Sequence, residues 1–315
     1  MVRNHHLLKW ELVWAILIDS MQCRKRHTGC YSKQIDFSYN YLTSFLPCIM
    51  KRVLIFGGSG FLGRALFKEL HPYMDVYGTF CTQTKFESNN RYYHYDFRDD
   101  SALNILSKVK PDIIISCLRG DAKEQFIAHD LIIDFSTKHE SKLIFLSSAN
   151  VFDGFWHYPS YEHDKTYSES SYGLLKIKIE NKVMRMPPFS WAIARLPMVF
   201  GANTPRVLEL KNAIEEQIPY EIFPNTVMNL TTDDFVTQQL HYIVNRNLCG
   251  IFHLGSTDLT HHDEFIFQLV DGLHLNTKPI YKHVYASNND RYIVALPRHN
   301  KLTEHLCFQC DDVLQ

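Results

Sequence analysis

Tyr172 and Lys176 stand four residues apart in "SYGLLKIKIE". On a helix that spacing puts both side chains on one face, one turn apart. A phenol with an ordinary pKa of about 10 is a poor acid–base group at neutral pH. An ammonium beside it stabilises the phenolate and lowers that pKa, and the same ammonium can hold ribose hydroxyls. A hydroxyl side chain is then needed to hydrogen-bond a substrate carbonyl oxygen. The run "LIFLSSANVFDG" supplies Ser147 and Ser148 at its end, where a parallel sheet presents its carboxyl edge to ligands. Standing alone, such a Tyr–Lys pair is an ordinary pair on a solvated helix, and two serines can simply end a strand.

The stretch that gives these residues a common purpose is "KRVLIFGGSGFLGRALFKEL", Lys51 to Leu70. An apolar run precedes its glycines and a helical pattern follows them. Gly57, Gly60 and Gly63 fit G-x-x-G-x-x-G, and Gly58, Gly60 and Gly63 also fit G-x-G-x-x-G. One glycine permits the tight turn, another lets backbone N–H groups approach a pyrophosphate, and the last lets helix and strand pack closely. Phe61, Leu62 and Arg64 open the helix, whose N-terminus favours negative phosphates. A Walker phosphate loop would need Lys and then Ser or Thr after Gly63; the chain has Arg64 and Ala65.

An acid at the end of the second strand would hydrogen-bond the ribose of NAD. Here "VYGTFCTQTK" offers Thr79, Cys81 and Thr82 with Lys85 nearby, and Arg64 lies within reach of a 2′-phosphate. These residues favour NADP(H) over NAD(H). Asp96, after the aromatic run "RYYHYDF", is a candidate partner for the adenine amino group, or else a helix cap.

These groups need elements to position them. Val53–Phe56, Val76–Thr79, Ile113–Ser116, Leu143–Ser147 and Trp191–Leu196 read as strands, short and continuously apolar as parallel strands buried on both faces are. Between them lie helical patterns at Leu62–Leu70, Ala102–Val109, Ala122–Lys138 and Tyr172–Arg185. The alternation predicts an α/β fold, a doubly wound parallel sheet of Rossmann type. After Gly201 the rhythm breaks into helices at Val207–Gln217, Asp233–Val244 and Asp263–Leu273 and a strand at Ile251–Leu254. Residues 50–200 thus read mainly as a dinucleotide-binding domain and 201–315 mainly as a smaller C-terminal substrate-binding lobe. Doubly wound chains often begin just before their first strand, as "MKRVLIFGGSG" does. This marks Met50 as the natural start, or residues 1–49 as an extension outside the packed fold.

The chain of 315 residues is 45% apolar and 21% charged, with a net charge of −1. That balance gives no electrostatic case for nucleic acid or an anionic membrane. The apolar stretch Leu12 to Ile18 is far short of the ~20 residues a membrane span needs. Eight scattered cysteines fit a reducing cytoplasm. Cys307 and Cys310 form a lone C-x-x-C with no second pair, and no metal site is expected there. Glu162 and Asp164 read as solvated loop acids, His261 and His262 as surface residues, and Asp233 and Asp234 as a helix cap.

From Met50 to about Phe267 the chain resembles the extended short-chain dehydrogenase/reductases, and among them the dTDP-4-dehydrorhamnose reductase branch. The resemblance rests on "GGSGFLG", "PDIIISC", "LSSANVFDG", "YEHD", "YGLLK", "ARLPMVFG", "LTTDDF" and "GIFHLGS", in that order. It implies Tyr172, Lys176 and Ser148 as catalytic residues, with Ser148, Asn150 and Arg195 on the substrate. It implies reduction of the C4 ketone of a nucleotide-linked deoxysugar by a nicotinamide cofactor, and a homodimer. The chain departs from the family in having Ala149-Asn150 where Asp-Tyr is usual and Met198 where a tryptophan is usual. Ser116-Cys117-Leu118, followed by Arg119, replaces Asn-Ala-Ala. An epimerase, or a cofactor-binding regulatory protein similar to the regulatory subunit of methionine adenosyltransferase, are the alternative readings. A dehydratase would place acids where Ala149 and Asn150 stand.

Overall fold

The computed structural model describes residues 50–98, 101–202, 204–273, 277–285 and 287–314; the extension 1–49 lies outside the described residues. From Arg52 the chain runs β1 (Arg52–Phe56), α1 (Phe61–Leu70), β2 (Asp75–Phe80), β3 (Tyr92–His94) and α2 (Ala102–Val109). It continues through β4 (Ile113–Ser116), α3 (Ala122–His139), β5 (Lys142–Ser148), α4 (Ser171–Val183) and β6 (Trp191–Leu196). The strands lie in the order β3-β2-β1-β4-β5-β6, and every neighbouring pair is parallel. The winding reverses between β1 and β4, which opens a crevice at their carboxyl ends.

Successive side chains of a strand point to opposite faces, so β1 feeds two cores. Val53 and Ile55 pack with Leu66 and Leu70 of α1 on one face. Leu54 and Phe56 pack with Leu106, Ile132 and Ile179 of α2, α3 and α4 on the other. Covered on both sides, the strand needs no polar alternation, and its apolar run is continuous for that reason.

One strand of this sheet was not legible. "RYYHYDF" carries β3, an edge strand of three residues. The edge is held by Tyr92, whose ring lies 4.9 Å from that of Phe67 and 4.4 Å from that of Phe86. Aromatic packing across elements, rather than a periodic run, makes this strand.

The rest of the chain is β7 (Met198–Phe200), α5 (Pro205–Glu215), β8 (Tyr220–Ile222), β9 (Thr226–Met228), β10 (Leu230–Thr232) and α6 (Asp233–Asn245). After these come β11 (Gly250–His253), β12 (Thr260–His261), α7 (His262–Gly272), β13 (Tyr281–His283) and β14 (Arg291–Ile293). Most of it forms a second packed body around Phe200, Leu210, Ile222, Met228 and Phe265. Its sheets pair β7 with β10, β8 with β13, and β9 with β12 and β14. The division expected near residue 200 is crossed, however. β11 extends the main sheet beside β6, and Val236, Leu240 and Ile243 of α6 join the core beneath α1. The cap of α6 is Thr232, whose hydroxyl accepts from the N–H of Phe235; Asp233 and Asp234 occupy the first turn instead. Among the described residues no helix is long and apolar enough to cross a membrane.

Candidate active site

β1 ends at Phe56, and Gly57 turns the chain with φ at 77°, a left-handed conformation that favours glycine. A Cβ on Gly63 would lie 2.2 Å from the Gly57 carbonyl oxygen, so only glycine lets α1 pack this closely on the turn. Thr79 of β2 ties the turn down: its hydroxyl accepts from the N–H of Gly57, and its carbonyl from that of Ser59, both at 2.9 Å. α1 begins at Gly60 without a side-chain cap and without an acid in its first turn. Its leading N–H groups therefore remain available to an anion. An uncapped helix start behind a glycine turn, lining a cleft, fits the pyrophosphate of a dinucleotide.

That cleft has a volume of about 1000 Å³. It runs from Asp96 and Arg98, past Gly57, Gly60, Phe61, Leu62 and Gly63, to Ser148, Tyr172 and Lys176, and on to Arg206 and Glu209 of the second body. The volume stands at the upper end of the usual range for small-molecule sites, about 300–1,000 Å³. The Asp96 carboxylate accepts from the Arg98 guanidinium and backbone N–H, and these bonds hold its pKa well below the usual range. Asp96 is not a helix cap; Ser101 caps α2. Arg64 is exposed outside the cleft lining and donates to the Ser59 carbonyl at 2.6 Å, where Gln83 also donates, at 3.0 Å.

β5 delivers Ser147 and Ser148 to the cleft. The Ser148 hydroxyl donates to Asn150 Oδ1 at 2.9 Å and accepts from the Asn150 N–H at 3.2 Å, capping the short turn Ala149–Phe152. Ser147 Oγ is buried and has no partner among the described residues. α4 is anchored over this turn by two residues to which the sequence reading gave no role. Asp153 accepts from the Glu169 N–H and the Ser170 hydroxyl, and Ser170 caps α4 through the Gly173 N–H. A Cβ on Gly173 would meet the Asn150 carbonyl at 2.3 Å, so this glycine sets how closely Tyr172 approaches Ser148. The local signal was present: a glycine directly after the candidate tyrosine, and an Asp-Gly closing the strand-end motif.

The electrostatics differ from expectation. Lys176 is 3% exposed and donates to the Leu146 carbonyl at 3.0 Å. Burial pushes its pKa down to about 8. The Tyr172 phenol is raised, not lowered: burial drives it up, against the charge of Arg119 and a hydrogen bond with Ser148. Arg119, a cleft-lining residue beyond β4, thus bears on the phenol.

Arg195 does not reach the cleft, which corrects its expected place on the substrate. It is 1% exposed and pairs with Glu180 of α4 through Nε at 3.1 Å and Nη2 at 2.7 Å. Its Nη1 donates to the Glu162 carbonyl, and its guanidinium stacks 4.9 Å over the Phe152 ring. Glu162 is likewise no solvated acid. Burial opposes its charge, but the N–H groups of Arg298, His299 and Asn300 converge on the carboxylate and hold its pKa below normal. His262 is buried as well, 4% exposed, and burial lowers its pKa to about 4. Cys310 is buried against the Ser256 hydroxyl, while Cys307 is exposed.

A doubly wound sheet with a glycine turn, and a serine, tyrosine and lysine on one cleft, are the marks of the extended short-chain dehydrogenase/reductases. Within that class the chain belongs to the family described as the RmlD substrate binding domain, whose model matches residues 50–307. Methionine adenosyltransferase 2 subunit beta of Bos taurus is 27% identical over 162 residues, 48% of this chain and 48% of that one. The chain thus matches about half the length of its curated relatives. Among solved structures, the dTDP-4-dehydrorhamnose reductase of Yersinia enterocolitica superimposes with a TM-score of 0.66 at 16% identity, covering 84% of this chain and 97% of that one. That of Bacillus anthracis strain Ames, in complex with NADP, gives 0.66 at 18% identity with the same coverage. At such identities the likeness is one of fold.

Proposed function

We propose that this protein is an NADP(H)-dependent reductase acting on the 4-keto group of a nucleotide-linked deoxysugar. The observation that carries the reading is that Ser148, Tyr172 and Lys176 share one cleft with the uncapped start of α1. Gly57, Gly60 and Gly63, with the amides of Phe61 and Leu62, bind the pyrophosphate. Arg64 and Gln83, converging on Ser59, stand beside the end of β2, where the 2′-phosphate of NADP(H) is distinguished. Asp96, held by Arg98, borders the adenine end. Lys176 holds the ribose hydroxyls next to the nicotinamide. When bound, the reduced nicotinamide supplies a hydride to the ketone carbon. The Ser148 hydroxyl, still accepting from the Asn150 N–H, turns its one proton from Asn150 Oδ1 to the carbonyl oxygen and orients it. Tyr172 transfers its phenolic proton to that oxygen as negative charge develops there. Asn150 positions Ser148, and Arg206 and Glu209 border the space left for the sugar nucleotide.

The test is NADPH oxidation, followed by absorbance, with a panel of 4-keto sugar nucleotides. Turnover of any member supports the reading; cofactor binding without oxidation across the panel removes it. In the second case the protein is a cofactor-binding regulatory subunit. The similarity to methionine adenosyltransferase 2 subunit beta and the departures at Ala149, Asn150 and Met198 favour that second reading.

A further inference from the structure

At the amino edge of the main sheet, opposite the cleft, Lys142 opens β5 with a side chain that is 6% exposed. Its Nζ donates to the Leu248 carbonyl at 2.6 Å, to Asn247 Oδ1 at 3.1 Å and to Cys249 Sγ at 3.3 Å. Among the described residues no carboxylate faces this ammonium; its ionisable neighbours are Cys249 and Lys51. Burial lowers the Lys142 pKa and the like charge of Lys51 adds to that, against the opposing pull of Cys249. A buried amine without a counter-charge gives up its proton readily, and the free base is a nucleophile. Cys249 lies in the connection between α6 and β11. The turn there holds Asn247 in a left-handed conformation, φ 52°, and the thiol donates to the Phe189 carbonyl at 3.1 Å. Cys249 is half-buried, so a small solute can reach its sulfur.

We propose that Cys249 and Lys142 are an oxidation-sensitive pair, which hydrogen peroxide joins through a sulfur–nitrogen bond. In the first step the thiol takes one oxygen atom from the peroxide: the O–O bond breaks, Sγ is oxidised to a sulfenic acid, and water leaves. In the second, the Lys142 lone pair attacks Sγ and the S–O bond breaks. The departing hydroxide takes a proton from the nitrogen and leaves as a second water. The joined pair has lost one hydrogen from sulfur and one from nitrogen. Excess thiol reverses the link: two thiols return those hydrogens and leave as a disulfide. The proposal is independent of the reductase reading. Other thiols lack this arrangement. Burial pushes the Cys117 and Cys310 thiols up to about 12. Cys307 meets the carbonyls of Leu302 and Thr303, at 3.9 and 3.7 Å, with no amine at hydrogen-bond distance among the described residues. The link ties the first residue of β5 to the entry of β11, 107 positions on, and so closes a long loop in the unfolded chain.

The experiment needs no substrate and no bound cofactor. The full chain, reduced and desalted, is treated with hydrogen peroxide, free thiols are alkylated, and tryptic peptides are read by mass spectrometry. A joined peptide pair holding Lys142 and Cys249 should appear, two hydrogen atoms lighter than the separate peptides, uncleaved after Lys142 and absent after dithiothreitol. Its gain should match the loss of the free Cys249 peptide. Lys142→Arg keeps a cation at the site but removes the nucleophilic amine. That variant should give no joined pair, and a 1,3-diketone probe for sulfenic acid should label its Cys249 more than that of the wild type. The oxidised wild type should also unfold at a higher urea concentration than the reduced protein, a shift absent from Cys249→Ser. Free Lys142 beside an oxidised Cys249, or equal probe labelling in the wild type and Lys142→Arg, would overturn the proposal. So would a wild-type Cys249 that peroxide leaves unchanged.

Discussion

The Arg195 guanidinium meets the Glu180 carboxylate in a two-point pair, with Nη2 2.7 Å from Oε2, and both side chains are almost completely buried. Glu180 lies one turn beyond Lys176 on α4, and Arg195 lies on β6, so the pair fastens the helix that carries the candidate chemistry to the sheet. Removing one partner of a buried pair strands a charge and destabilises by about 3–5 kcal/mol. Arg195→Ala should therefore shift the urea midpoint strongly downward, while Arg195→Met combined with Glu180→Met should recover most of the loss. A substrate-binding arginine would instead raise KM in a protein of unchanged stability.

Tyr172→Phe deletes one oxygen and leaves the glycine turn untouched. Acid–base groups contribute about 10²- to 10⁴-fold to the reactions they assist. NADPH oxidation by the variant should fall by at least about 100-fold, while NADPH affinity by fluorescence titration stays within about twofold. An active Tyr172→Phe protein would remove the phenol from the reaction.

Gly63→Ala tests the close approach of α1 to the turn. The added methyl would meet the Gly57 carbonyl oxygen at 2.2 Å and the Gly58 Cα at 2.7 Å, both backbone atoms that cannot swing aside. Overpacking of this kind costs about 1–3 kcal/mol. The variant should melt several degrees lower and bind NADPH more weakly, since the amides that face the pyrophosphate shift with the helix. Ala65→Gly, two residues on, should leave NADPH affinity unchanged.

Buried histidines, His129, His253 and His262 among the described residues, set an acid limit. His129 accepts from the Ser116 hydroxyl at Nε2 and donates from Nδ1 to the Gln125 carbonyl, a neutral arrangement with both nitrogens used. Burial lowers the pKa of His129 and of His262 from 6.5 to about 4. Between those values the unfolded chain binds more protons than the native one, so stability is full above about pH 6.5 and falls as pH drops towards 4. Denaturation midpoints measured across that range should decline, and less steeply in His129→Gln. A flat profile would mean that these rings are not buried in neutral form.

The parts of this protein that could be read from the residue order are those decided within a few neighbouring positions. A run such as Val53–Phe56, a helix pattern such as Ala102–Val109, and glycines three apart each carry their meaning locally. Tyr172 and Lys176 share a face because helical geometry puts them there. Fates decided over long separations were not legible. Arg195 looks the same in a sequence whether it meets substrate or Glu180; only the packing of α4 on β6 buries it. Glu162 becomes an anchor because three N–H groups more than 130 residues away close on its carboxylate. β11 joins the main sheet because the edge of β6 was open to it. Arg119 enters the site through the parallel pairing of β4 with β5 and β1. Local geometry follows from neighbouring residues, but burial and charge pairing follow from what the folded chain brings alongside.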